Sequence, residues 1–382
     1  HTIQNEAIHS SLNFMLEHLP GNLHVVVSTR IDPPLPLARY LSRNRLVEIR
    51  AQDLRLTNDE AASFLNQMMG LNLTTENVVA LEERTEGWVA GLQLAALSMK
   101  GRSDLAGFIK AFTGSHIYIA EYLVEEVLQS QPDEVQRFLL QTSILERINP
   151  ALCEAVTGCE SGQSMLMALQ RANLFIISMD DEGWWFRYHQ LFADLLNARL
   201  RQAWSPEVIA ELRLRAARWY ARSGMVQEAI EQALAATEYS YALQLIEKVA
   251  LPMILNAYFK TVEDWLRTIP PEYLSSSPRV NLAIAWMHLL RRNFAQAAPH
   301  LERLQKIFST LEKSEIDPSL EGEWLALQSM LLNAQGKAVE SIDLAEQALK
   351  ILPVGETQVR SMTYMGLTQA YEQTLDYERA AE

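Results

Sequence analysis

The sequence is poor in cysteine and in long apolar runs, and each shortage excludes a class of protein. Only two cysteines occur in 382 residues, Cys153 and Cys159. Their spacing matches no zinc-ligand pattern and no second pair completes a site, so we expect two free thiols in a reducing cytosol. No apolar run reaches the ~18 residues that a membrane-spanning helix needs.

Positive charge is also scarce. Aspartate and glutamate total 47 against 33 lysines and arginines, which gives a formal net charge of −14. Because DNA-binding domains carry a basic footprint, the chain as a whole is expected to be a poor DNA binder. An N-terminus that reads His1-Thr2-Ile3 is neither a signal peptide nor an initiator methionine, so we expect a piece of a longer protein.

The motifs of a self-contained enzyme are missing as well. The sequence has no G-x-S-x-G elbow, no H-E-x-x-H pair and no GxxxxGK[ST] phosphate loop. Gly336-Lys337 lacks the first glycine and the serine or threonine of such a loop. The eight histidines do not cluster at metal spacings. We therefore expect no catalytic residue and no metal ligand in this chain, which is not an enzyme on its own.

The first fifty residues alternate helix and strand. An apolar face predicts a helix over Glu6–His18. The β-branched run in Leu23–Arg30, bounded by turn formers, predicts a buried strand of the kind found in parallel sheets. A second short strand is predicted at Val47–Arg50.

From Thr57 the pattern is helical, with one interruption. Thr57 and Glu60 form a capping box. Further helices are predicted at 75–86, 88–100, 117–130, 132–143, 151–156, 164–172 and 189–200. Between the last two, 174–179 and 184–188 are strand-like and flank a turn with Gly183, which predicts a β-hairpin. Helices followed by a hairpin indicate a winged helix, and the alternative is an isolated hairpin packed on a helical bundle.

After Ser205-Pro206 the chain repeats a helix-pair pattern. The small and aromatic residues Ala217, Tyr220, Gly224, Ala229 and Ala233 have tetratricopeptide-like spacing. Later turns are predicted near Tyr258, Asn293, Gly336 and Asp376. The intervals of about 34 to 43 residues are typical of helical solenoids, and we expect further repeats after Glu382.

Two residues stand out as candidates for a functional site. Arg30 ends the predicted buried strand, where open α/β sheets bind ligands and where an arginine can reach a γ-phosphate. The alternative is a solvated arginine that opens a loop. His189 begins the helix after the hairpin, where the helix dipole favours a neutral imidazole. Its alternative is a histidine at the edge of the core that caps the helix.

Two larger sets have simpler interpretations. Hairpin packing, rather than a stacking platform for bases, is expected of the aromatic residues Trp184, Trp185, Phe186 and Tyr188. A solvated helix face or an interdomain contact is expected of the arginines Arg199, Arg201, Arg213, Arg215, Arg218 and Arg222.

Four segments form a further pattern: Val25–Arg30, Ala51–Ala61, Thr85–Ala95 and Phe186–Leu196. The third, Thr-Glu-Gly-Trp-Val-Ala-Gly-Leu-Gln-Leu-Ala, is the most specific. In this order the segments resemble the large ATP-binding transcriptional regulators of the LuxR type. These maltose-regulator-like proteins are signal-transducing ATPases with numerous domains, and the resemblance covers the whole chain.

The resemblance implies a nucleotide-binding role for four residues. Arg30 would be the sensor arginine. Gly87 and Trp88 stand where related ATPases carry a Gly-x-Pro motif near the adenine, although this chain has Val89 in place of the proline. In related switches a histidine of the winged helix binds the β-phosphate of ADP in the resting state. The resemblance assigns the same role to His189.

The resemblance also implies cofactors and partners. ATP or ADP with Mg²⁺ would bind the parent protein, a slow ATPase switch whose phosphate loop lies before His1. No nucleotide is expected to bind tightly to this fragment. An inducer small molecule or a regulatory protein would bind the repeats, and the active parent would self-associate. DNA would be bound only through a domain after Glu382, and no membrane is involved.

The expected fold is mainly α, in four parts. Residues 1–50 would be the C-terminal part of an α/β nucleotide-binding domain, 51–115 a small helical domain, 116–204 a winged-helix domain and 205–382 a tetratricopeptide-like superhelix. The leading hypothesis is the signal-sensing switch portion of a cytoplasmic, ATP-dependent activator of transcription. The alternative is a nucleotide-independent helical-repeat scaffold for protein–protein interaction.

Overall fold

A computed structural model describes residues 6–29, 32–99, 104–112, 120, 123–172, 174–180, 182–312 and 316–381. The predicted fold class is confirmed, because the described chain is mainly α-helical with one two-stranded sheet. It divides into two compact units, His1–Arg215 and Ala216–Glu382.

The N-terminal segment contains helices but not the predicted strands. Helices α1 (Glu6–Glu17) and α2 (Leu37–Ser42) form, and Tyr40 donates a hydrogen bond to Asn13 Oδ1 at 2.8 Å. The strand predictions for Leu23–Arg30 and Val47–Arg50 are wrong across the residues that the structure describes. Val26 is 94% exposed there. A strand forms only where a neighbour pairs its backbone groups, and no described segment pairs with these two. Arg30 itself lies outside the described residues.

A group of short helices follows. It consists of a 3₁₀ turn (Ala51–Leu54), α3 (Asn58–Ala62) continued by a π-helical stretch (Ser63–Met68), α4 (Thr75–Thr85), α5 (Val89–Met99) and α6 (Leu105–Ala111). The predicted capping box is confirmed, because Glu60 accepts the backbone N–H of Thr57 at 2.9 Å and Thr57 accepts that of Glu60. Leu65, Leu81 and Leu92 are fully buried and form the core of the group.

The next part has the winged-helix order of elements. It contains a π-helical stretch (Leu123–Leu128), α7 (Asp133–Thr142), α8 (Pro150–Thr157), α9 (Gly162–Arg171), β1 (Ile176–Ser178), β2 (Phe186–Tyr188) and α10 (Gln190–Ala203). The predicted hairpin is confirmed: β1 and β2 pair antiparallel, with Ile177 opposite Arg187. The Asp180 carboxylate closes its turn by accepting the N–H groups of Trp184 and Trp185. Of the helix predicted at 117–130, residues 117–119, 121 and 122 lie outside the described residues.

The second unit is built from helix pairs. After α11 (Pro206–Arg222), which begins in the first unit, the helices are α12 (Val226–Ala235), α13 (Tyr239–Leu255), α14 (Phe259–Thr268), α15 (Pro271–Ser276), α16 (Pro278–Leu290), α17 (Phe294–Ser309), α18 (Pro318–Ala334), α19 (Ala338–Ile351), α20 (Thr357–Gln373) and α21 (Tyr377–Ala381).

Turns lie where the repeat pattern predicts them. Left-handed residues end the preceding helices at Gly224, Ala257, Arg292, Gly336 and Leu375. These residues satisfy the last helical carbonyl groups and reverse the chain. None of the described helices is long and apolar enough to cross a membrane.

Candidate functional site

Three of the four predicted nucleotide-binding residues come together in the first unit. The Trp88 ring meets the His189 ring edge to face, with 6.0 Å between centroids, and Gly87 precedes Trp88 in the same turn. The turn joins α4 to α5, whereas His189 lies between β2 and α10. Residues separated by about a hundred positions therefore form one cluster.

The turn depends on left-handed backbone at two consecutive residues. Glu86 has φ +50° and Gly87 has φ +69°. The carbonyl of Gly87 accepts the N–H of Leu56 at 2.9 Å. A Cβ added to Gly87 would lie 2.5 Å from the Leu56 carbonyl oxygen. Two features therefore require glycine at position 87. The backbone has a positive φ, and the chain before α3 comes too close to leave room for a Cβ.

His189 is buried against this turn. The residue is 4% exposed, and Nε2 lies 2.9 Å from the carbonyl oxygen of Thr85. Since a carbonyl oxygen only accepts, Nε2 carries the proton. Nδ1 is buried without a hydrogen-bond partner among the described residues. Burial lowers the pKa of His189, and this outweighs the opposing charge of Glu86. This lowered pKa favours the neutral imidazole that the sequence predicts, with burial rather than the helix dipole as the main cause.

Two charged residues that sequence reasoning did not select hold the cluster together. The Arg187 guanidinium donates to both carboxylate oxygens of Glu86, each at 2.8 Å. The Gln190 backbone N–H, in the first turn of α10, donates to the same carboxylate at 3.0 Å. Arg55 lies 3.6 Å away. Glu86 and Arg187 stand in the segments Thr85–Ala95 and Phe186–Leu196 and have opposite charge, but nothing in the sequence pairs them across 101 positions.

The environment of Glu86 fixes its charge. Burial raises the pKa of the carboxyl, but the hydrogen bonds from Arg187 and the Gln190 N–H, with the nearby positive charges, lower it to about 2. Glu86 is therefore ionised throughout the physiological range. The N-terminus of a helix favours a negative charge at this place.

Trp88, Phe175 and Phe192 form an aromatic wall beside His189. Phe175 lies edge to face on Trp88, with 5.1 Å between centroids, and contacts His189 and Phe192. Its carbonyl accepts the N–H of His189 at 2.8 Å. Phe175 has φ +53°, which is costly for a bulky residue. Such backbone persists only where the surrounding packing enforces it.

The donor set of the cluster suits an anion rather than a metal. Arg187, Arg55 and the first turn of α10 supply positive charge and N–H groups. No group of three or more histidine, cysteine or acidic side chains that could hold a metal ion occurs among the described residues. In this structure Arg187 and the Gln190 N–H donate hydrogen bonds to the Glu86 carboxylate, and Arg55 lies 3.6 Å from it.

Comparison with known proteins supports the resemblance. Residues 124–208 match the family described as the MalT winged helix domain. The chain is 34% identical over 356 residues to the HTH-type transcriptional regulator MalT of Serratia proteamaculans, which covers 93% of this chain and 39% of that protein. It is also 34% identical over 315 residues to the serine/threonine-protein kinase PknK of Mycobacterium tuberculosis, covering 82% of this chain and 28% of the kinase.

A solved structure with limited similarity is a signal transduction ATPase with numerous domains and a tetratricopeptide repeat sensor, from Pyrococcus horikoshii. Its TM-score is 0.44 at 15% identity, over 86% of this chain and 52% of that one. The chain spans about two fifths of the length of the MalT relatives that it matches. The resemblance to MalT-like transcriptional regulators is confirmed, because the MalT relative aligns with 93% of this chain and the MalT winged-helix family matches residues 124–208.

Proposed function

We propose that this chain is the signal-sensing and switch portion of an ATP-dependent, LuxR-type activator of transcription. The observation that supports the proposal is the junction between the Thr85–Trp88 turn and the segment from Arg187 to Gln190. The junction contains His189, whose neutral imidazole has one free nitrogen, beside an aromatic wall and a cluster of positive charge. A nucleotide switch needs such a junction, because its two states differ in how these parts contact each other.

The proposal assigns a role to each part of the chain. Residues 1–50 would complete a nucleotide-binding domain, 51–115 and 116–204 would form the small helical and winged-helix parts of the switch, and the tetratricopeptide-like repeats of 205–382 would sense the signal. ATP or ADP with Mg²⁺ would bind tightly only in the parent protein, and DNA would be bound only through a domain outside this chain. The parent would be a slow ATPase in the cytoplasm.

The switch would work by a shift between two populations. ADP would stabilise the closed state through His189, and an inducer or regulatory protein on the repeats, with ATP, would stabilise an open state that self-associates. A ligand shifts such an equilibrium only as far as its affinities for the two states differ. His189 and Trp88 would supply that difference on the nucleotide side.

The test is an ADP titration of the full-length protein that contains this chain, with and without His189→Ala. We expect the variant to bind ADP about tenfold more weakly, a loss of about 1.4 kcal/mol. His288→Ala is the matched control, because His288 is a histidine of the second unit, far along the chain from the junction. Equal ADP affinity for all three proteins would refute the nucleotide role of His189.

One observation favours a second function, a nucleotide-independent scaffold of helical repeats. Arg187 and the Gln190 N–H are fully satisfied by Glu86 without any ligand. A scaffold would show no response of self-association or partner binding to ATP or ADP in the full-length protein. A nucleotide-dependent change in either would favour the switch.

A further inference from the structure

The tip of the winged-helix hairpin exposes a tryptophan. All eight tryptophans of the chain lie among the described residues, and Trp184 is the one that is largely exposed, at 61%. Met179, on the other side of the same turn, is 53% exposed. The expected packing of the hairpin aromatics therefore holds for Phe186 and Tyr188, which are 2% and 4% exposed, but not for Trp184. Because a tryptophan gains much from packing, an exposed one is a candidate for an interface.

The turn that carries Trp184 is ordered by hydrogen bonds. The Asp180 carboxylate accepts the backbone N–H groups of Trp184 at 2.8 Å and of Trp185 at 2.9 Å. The Met179 N–H donates to the Trp185 carbonyl at 2.8 Å, and Ser178 Oγ donates to the Asp180 carbonyl at 2.7 Å. A partner that binds Trp184 therefore meets a turn that is already formed, which lowers the entropic cost of binding.

The turn is also acidic. The sequence from 180 to 184 is Asp-Asp-Glu-Gly-Trp, with three carboxyl groups and no cation. Glu182 is exposed. A wing that contacts DNA needs positive charge to meet the phosphates, so this wing is unsuited to nucleic acid. Its charge favours a basic partner instead.

The neighbouring tryptophan already binds a basic group. The Arg147 guanidinium lies over the Trp185 ring, 4.7 Å from its centroid. Arg147 precedes Ile148, whose backbone exchanges hydrogen bonds of 2.7 and 2.8 Å with Phe186, so the arginine is positioned along the hairpin. The chain thus stacks its own arginine on one of two adjacent tryptophans, while no described cation lies over the ring of Trp184.

We propose that the wing tip, formed by Met179, Glu182 and Trp184, is a docking site for an arginine-bearing basic segment of a partner protein. The guanidinium lies over the Trp184 ring, and the Glu182 carboxylate supplies the opposite charge. Arginine fits the site better than lysine, because its planar and weakly hydrated guanidinium stacks on an aromatic ring.

Net charge favours a different protein over a second copy of this chain as the occupant. The chain carries a net charge of −14, so two copies repel each other, whereas a basic protein is attracted by the whole chain as well as by the wing tip. The arginines between Arg199 and Arg222 are the groups that a second copy would offer, and the experiment tests that case. Trp184 precedes β2 and His189 follows it, so the proposal does not depend on nucleotide binding.

The test is calorimetric titration of this chain with a tetra-arginine peptide amide at fixed ionic strength. Trp184→Leu should bind the peptide about two- to fivefold more weakly, the loss expected for an exposed cation–π contact. Glu182→Gln should weaken binding about twofold, because an exposed ion pair contributes little. In the wild-type chain the peptide should shift the indole N–H resonance of Trp184, which is assigned by its loss in Trp184→Leu. That shift locates the binding without relying on any variant.

Tyr258→Leu is the matched control. Tyr258 is 60% exposed, close to the value for Trp184, but its sequence neighbours are Ala257 and Phe259 rather than acidic residues. The control should leave the peptide affinity unchanged. A tetra-lysine peptide is the control for the ligand, and Trp184→Leu should cost it less affinity than it costs the arginine peptide. Trp184→Leu keeps the backbone hydrogen bonds of the turn, so its thermal unfolding should match that of the wild type.

Three outcomes would overturn the proposal. Equal affinity of the arginine peptide for the wild type, Trp184→Leu and Tyr258→Leu would show that the peptide responds only to net charge. An equal loss for the lysine and arginine peptides would remove the preference for arginine. Self-association of the chain in sedimentation velocity without peptide, abolished by Trp184→Leu, would make a second copy the occupant in place of a basic partner.

Discussion

Trp286 donates its indole N–H to the carboxylate of Glu323 at 2.7 Å in the interior of the second unit. Trp286 is fully buried and Glu323 is 5% exposed. Burial raises the pKa of Glu323 to about 7, and the charge of Glu356 adds to this, while the hydrogen bond from Trp286 opposes it. An acidic group in the helix-pair core therefore titrates near neutral pH.

The first prediction follows from that titration. Because the pKa of Glu323 is higher in the folded than in the unfolded chain, its contribution to stability is fully present below about pH 4.5 and is lost as the pH rises through 7. Glu323→Gln, which still accepts the indole N–H, should raise the free energy of unfolding at pH 8 by up to about 3 kcal/mol. Denaturant unfolding at pH 5 and pH 8 measures this. A gain of the same size at both pH values would contradict the prediction.

The second prediction concerns the indole N–H. Trp286→Phe removes the donor, leaves a cavity and leaves Glu323 without its hydrogen bond, so it should cost about 3 kcal/mol at pH 8. Trp324→Phe is the control. Trp324 is half-buried and donates to the Leu301 carbonyl at 3.1 Å, so its loss should cost about 1 kcal/mol. Equal losses in thermal unfolding would show that the buried carboxyl does not depend on Trp286.

The third prediction tests the turn at Gly87. Gly87→Ala combines an unfavourable φ of +69° with a Cβ only 2.5 Å from the Leu56 carbonyl oxygen. It should destabilise the first unit by about 3 kcal/mol, because backbone strain and a steric clash with rigid backbone add. Gly224→Ala is the matched control: its φ is +77°, but nothing lies within 4 Å of the added Cβ. Its cost should be about 1 kcal/mol, and a similar cost for both would refute the close approach to Leu56.

Local features of the fold could be predicted from the sequence, and features that need distant partners could not. The Thr57–Glu60 capping box and the Asp180–Gly183 turn are fixed within a few residues, so their patterns were sufficient. The β-branched run at Val25–Val27 indicates a strand only where neighbours exist to pair with it. The Glu86–Arg187 pair spans 101 positions, and no periodicity brings such residues together.

The fourth prediction measures that pair directly by a double-mutant cycle of Glu86→Gln and Arg187→Gln. The coupling free energy should be about 1–2 kcal/mol, more than for an exposed pair, because Glu86 is 11% exposed and its bond to Arg187 is bidentate. Arg187 is 34% exposed, so solvent screening keeps the value below that of a fully buried pair. Lys260 and Asp264, exposed at 80% and 42%, are the control, with an expected coupling below about 0.5 kcal/mol. Since the pKa of Glu86 is about 2, the coupling should be constant from pH 5 to pH 8. A coupling no larger than that of the control pair would mean that the other contacts of the turn, and not the Arg187 ion pair, hold it in place.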